Sequence, residues 1–89
     1  MLFHATGTFT VDKSAIPDPT EETRVARALV LDKTIVHAYV RADRSAAILI
    51  LDAETAAAAE AIIASLPFAA DGTFVFETFA IFPLFPDLE

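Results

Sequence analysis

The chain has no cysteine, only two glycines, and only six lysine and arginine residues among 89. Without cysteine, disulfides, zinc–thiolate sites and cysteine nucleophiles are excluded, and a cytoplasmic location is the expectation. So few glycines leave no phosphate-cradling loop, and no serine sits in a nucleophile-elbow context. Six cations against thirteen acidic groups give a net charge of −7. That balance supplies no basic face for nucleic acid and would be repelled by anionic lipid. No apolar run reaches the roughly 18 residues of a membrane span. Met1-Leu2-Phe3-His4 has no basic segment leading into a long apolar stretch, so no secretory signal is expected.

What the chain has is apolar surface. It is 55% hydrophobic with a mean hydropathy of +0.53, high for one small domain. Ala46-Ala47-Ile48-Leu49-Ile50-Leu51 has no polar side. In Thr73–Phe82 the residues Phe74, Phe76 and Phe82 fall on one side, and Val75, Phe79 and Ile81 on the other. A strand alternates its side chains between faces, so a sheet with one wet side should alternate apolar with polar. Here both faces must meet something dry. Surplus apolar surface without a membrane segment points to self-association.

Four strands and two helices follow along the chain. Leu2–Val11 reads as a strand with His4, Thr6, Thr8 and Thr10 on one side. Asp18-Pro19-Thr20-Glu21 is a helix start, with Asp18 as cap, Pro19 at the first position and Glu21 at capping-box spacing. This helix should reach about Asp32, with Val25, Ala28, Leu29 and Leu31 on its apolar side. Thr34–Arg41 is a second strand, in which His37, Tyr39 and Arg41 alternate with Val36, Ala38 and Val40. Ala42-Asp43-Arg44-Ser45 turns it into the third strand. Asp52 stands where an N-cap belongs, before an alanine-rich helix over Ala53–Ser65 that Pro67 stops. Asp71-Gly72 turns into the fourth strand, and a Pro-rich arm over residues 82–89 ends the chain.

The order βαββαβ predicts a single α+β domain over residues 1–89 of ferredoxin-like type. Its four-stranded antiparallel sheet would carry both helices on one face. The uncovered face is then the one that must be dry. A homodimer pairing two such sheets, the dimeric α/β barrel, satisfies it.

Met1-Leu2-Phe3-His4 at the first strand and Ser65-Leu66-Pro67-Phe68 closing the second helix resemble the muconolactone isomerase family. The ungapped spacing from Leu29 to Leu66-Pro67 is similar too. His37 falls on a family histidine, Asp52 on the aspartate ending the third strand, and Glu77 on a fourth-strand glutamate. Thr23 stands where the family has lysine. Ile35, Val36, Tyr39 and Val40 replace its basic and tryptophan-rich second strand. The resemblance implies a dimeric α/β barrel, often in larger rings, working without cofactor in the catabolism of aromatic compounds. It implies an isomerase that moves a double bond in a small lactone acid by proton transfer, and it places Glu22 on the acid/base position.

Such chemistry needs a carboxylate held in a dry pocket. Glu22 also lies in the first turn of a helix, where the dipole favours acidic side chains without any catalysis. His4, His37, Tyr39 and Arg41 share the open side of their strands and are the candidate substrate-binding residues. Arg41 is the natural partner of an anionic ligand. Each has a structural reading as well: the histidines and Tyr39 as interface residues, Arg41 as part of an exposed hairpin. Glu77, alone among apolar neighbours, would pair with an arginine across the sheet. Two histidines without defined spacing to a carboxylate make no metal site. Two further functions stay open: a non-catalytic oligomer that binds a small ligand, and a cofactor-free monooxygenase on the same barrel.

Overall fold

The computed structural model describes residues 1–88. Strands β1 (Leu2–Phe9), β2 (Ile35–Val40), β3 (Ala46–Asp52) and β4 (Phe74–Ile81) form one sheet in the order β2-β3-β1-β4. Every neighbouring pair is antiparallel. Helices α1 (Thr20–Leu31) and α2 (Ala56–Ala64) and the single turn α3 (Pro67–Ala70) complete the ferredoxin-like α+β fold. Among the described residues no helix is long and apolar enough to cross a membrane.

Strand alternation sorts the sheet into two faces. Phe3 and Ala5 of β1 lie opposite Leu51 and Leu49 of β3, and all four are buried beneath the helices. Ile35, Ala59, Ile63 and Leu66 join them in the same core, against which Val25, Ala26, Leu29 and Ile62 pack. On the other face His4 sits in one row with Phe79 and Ile50, and Thr6 in the next with Glu77 and Ile48. A bulge at Val36 shifts the phase of β2, so buried Ile35 looks to the helices while His37, opposite Ile50, looks away.

The helix boundaries differ from expectation for local reasons. Asp52 is not the α2 cap, because the β1–β3 register still runs to it from Leu2, and it takes the N-terminal ammonium at 3.3 Å. Thr55 caps instead, its Oγ1 accepting the Ala58 N–H at 3.1 Å. At α1 the Asp18 carboxylate accepts both the Thr20 N–H and hydroxyl, so the helix begins at Thr20. Glu21 closes no capping box; it pairs with Arg24 one turn on. Pro67 ends α2 but occupies the first position of α3, which buries Phe68.

The inward stripe of α1 also falls elsewhere than expected. Leu31 is 72% exposed, and Ala28 is exposed as well. The residues packed inward are Val25, Ala26 and Leu29, with Glu22 half-buried in phase with them. Positions 22, 25, 26 and 29 are one face of a 3.6-residue helix.

Gly7 is required by a close approach. A Cβ there would stand 2.5 Å from Cε1 of Phe76, directly opposite on β4. Gly7→Ala must push that ring off its neighbours, at a cost of about 1–3 kcal/mol. A lowered melting temperature is the expected result; an unchanged one would mean the ring swings aside freely.

A cavity between helix and sheet as the candidate active site

The helix-covered face is not fully closed. Where α1 passes the β2–β3 hairpin end, Ala26, Ala38 and Ala47 are too small to fill the gap. A cavity of about 430 Å³ remains between α1 and the sheet. That is within the range of about 300–1,000 Å³ usual for small-molecule sites. Leu49, Leu66 and Phe76 give it apolar walls, and α1 contributes Glu22, Thr23 and Arg27.

Among the described residues Glu22 is the only carboxylate on the lining. Its Oε1 accepts the backbone N–H of Phe68 at 2.8 Å. Phe68 is the second residue of α3, so this contact also ties α1 to α3 and satisfies a donor the helix itself cannot. Burial pushes the Glu22 carboxyl above its ordinary value; the Phe68 N–H partly offsets this, and the nearby Asp71 charge adds to it. Glu21, one residue earlier and fully in solvent, is shifted the other way by its bond to Arg24. Neighbouring glutamates on one helix thus have opposite proton affinities because only one faces the cavity.

The pH dependence of stability follows from these directions. Above the ordinary glutamate range the folded protein holds the Glu22 proton more tightly than the unfolded chain does. Stability therefore falls as pH rises through that window. Asp18, Asp32, Asp43 and Asp71, each held down by hydrogen bonds at a turn, act oppositely, and their contribution is lost as acid protonates them. Glu22→Gln keeps an oxygen for the Phe68 N–H and removes the titration. The variant should gain in melting temperature relative to wild type between about pH 4 and pH 7. A constant difference across that range would mean Glu22 is not desolvated.

The other four candidate residues lie differently. Tyr39, on edge strand β2, borders the cavity, but its ring lies on the opposite face, stacked on His37. His4 and His37 are on the opposite face of the sheet from Glu22. There His4 stacks on Phe79 at 5.0 Å and bonds to the Thr6 hydroxyl at 3.4 Å, and His37 stacks on Tyr39 at 6.1 Å. Arg41 is engaged at the hairpin by Asp43, 3.0 Å away, and is absent from the cavity wall. Glu77 makes no ion pair among the described residues; it is exposed on the open face. Arg27, the one cation among the described residues on the lining, carries no signal in the sequence that singles it out. It is four residues after Thr23 and one after inward-facing Ala26. Among the described residues no three His, Asp or Glu side chains converge as metal ligands would.

No protein-family model matches the chain, and no curated protein is similar to it at a significant level. Solved structures do match. A crystal structure of muconolactone isomerase at 3.3 Å resolution aligns over 93% of this chain and 90% of its own, with a TM-score of 0.77 and 20% identity. Identity that low together with shape agreement that extensive establishes a shared fold: this chain has the ferredoxin-like architecture of muconolactone isomerase.

Proposed function

We propose that the protein is a cofactor-independent isomerase acting by proton transfer on a small lactone or related organic acid, with Glu22 as the acid/base. The observation that carries this reading is a half-buried carboxyl with raised proton affinity, the only one among the described residues on an apolar cavity of about 430 Å³. Such a carboxylate can take the γ-proton of an α,β-unsaturated lactone. The electron pair then spreads over the dienolate to the lactone oxygen, and the proton returns at the α-carbon, leaving the double bond moved. Glu22 ends as it began, so no redox partner is needed. Tyr39 borders the same space.

The reading includes a homodimer formed sheet to sheet. Val75 and Phe79 are 59% and 49% exposed on a face that no helix covers. His4 and His37 belong to that contact. The cavity lies on the other face, so pairing leaves it accessible. In the arm, Phe82, Leu84, Phe85 and Leu88 are each at least 60% exposed, and we place them against a neighbouring subunit; Glu89 lies outside the described residues.

The bond from Phe68 to Glu22 favours a second reading, in which Glu22 is a structural clasp and the cavity only binds a ligand. Deuterium exchange decides. A butenolide bearing a carboxymethyl group, incubated with protein in D2O, should acquire deuterium at its α-carbon far faster than in buffer. Saturable binding with no incorporation would favour the binder.

A further inference from the structure

Four arginines lie on α1 or in the β2–β3 hairpin and are used in different ways; Arg44, at the hairpin turn, has no ion pair among the described residues but is not on the cavity wall. Arg24 is taken by Glu21, with its Nη2 at 2.9 Å, and Arg41 by Asp43 at 3.0 Å. Arg27 has no ion pair and no side-chain hydrogen bond among the described residues. It is exposed, on the helix turn after Glu22, at the edge of a cavity whose walls are otherwise mainly Ala, Leu and Phe.

We infer that Arg27 is the specificity-determining residue of this cavity, selecting small ligands that carry one carboxylate on an apolar body. A guanidinium presents a planar fork of donors matched to a carboxylate, and here the fork is unoccupied. The hydrocarbon part of such a ligand has apolar wall to cover, namely Leu49, Leu66 and Phe76. A protein of net charge −7 repels anions over most of its surface, so an unpaired cation at one mouth localises their entry.

The inference uses the proposed role of the cavity as a ligand site but does not need turnover. Isothermal titration with 3-phenylpropanoate and its neutral amide, at equal ionic strength, tests it. Wild type should bind the acid about tenfold or more tightly than the amide, the scale of one charge-assisted pair. Arg27→Met should bring the acid down to the amide and leave the amide unchanged. Arg24→Met and Arg41→Met should keep the preference. Equal binding of acid and amide to wild type, a preference that survives Arg27→Met, or no binding of either probe would each overturn it. Glu22→Gln separates the two readings. If exchange chemistry is absent while the Arg27-dependent preference persists in both proteins, the isomerase reading fails and this one stands.

Discussion

Phe79→Glu should break the proposed sheet-to-sheet homodimer and leave a folded monomer. Phe79 is half exposed, stacks on His4 at 5.0 Å, and lies in the row that crosses the open face through His4 and Ile50 to His37. A two-fold contact repeats each residue, so one substitution places two carboxylates in the interface. Glu77, two residues away on the same face, adds like charge. Removing a central aromatic typically costs 2 kcal/mol or more, about thirtyfold in affinity, and an unpaired buried charge raises that further. The fold should tolerate the change because Phe79 touches none of the core under the helices. Light scattering coupled to size exclusion, with a thermal melt on the same sample, reads both properties. A dimer that persists would move the contact elsewhere, with the exposed arm as the next candidate.

Glu22→Gln and Glu22→Ala should part company. Both remove the base, so both should lose α-carbon exchange, by about 10²–10⁴-fold, the usual contribution of a positioned acid/base. Glutamine still offers an oxygen to the Phe68 N–H, so its melting temperature should not fall below wild type and should exceed it as pH rises. Alanine leaves that donor half-buried without a partner and frees α3 from α1. The unmade bond costs about 1–3 kcal/mol, which in a chain of this size lowers the melting temperature by roughly 4–20 °C. If the glutamine variant still catalyses exchange, Glu22 is only the clasp between the two helices.

Much of the fold was legible because local signals agreed. The threonines of β1 alternate with Phe3 and Ala5. Asp71-Gly72 makes its turn, with Gly72 at φ 81° and the Asp71 carboxylate accepting the Thr73 N–H at 2.9 Å. Helix starts were harder: Asp52 reads as the cap, but the strand register runs through it and Thr55 takes that place. The phase of α1 was ambiguous for a similar reason. Val25, Ala26, Ala28, Leu29, Val30 and Leu31 are apolar almost without interruption, so the pattern alone does not choose the inward stripe.

The cavity was less legible than the fold. Strand alternation put His4, His37 and Tyr39 on the open face, but no periodicity says which face holds a space. That depends on how far α1 stands from the sheet. The distance is set by Ala26, Ala38 and Ala47, ordinary residues in a chain that is 55% hydrophobic. The spacing Glu22-Val25-Ala26-Leu29 carried the information that Glu22 faces inward. Strand alternation favours Arg41 as the ligand-binding cation, but Asp43, two residues on, pairs with it at 3.0 Å.

Carbon-detected NMR titration of the glutamate side chains reads the state of Glu22 without knowledge of any substrate. Glu22 should titrate above the ordinary glutamate value and Glu21 below it, and Glu22 should shift further upward when 3-phenylpropanoate is added. Two adjacent glutamates titrating together at the ordinary value, with no response to the probe, would mean that Glu22 is a solvated helix residue and that the cavity holds no poised base.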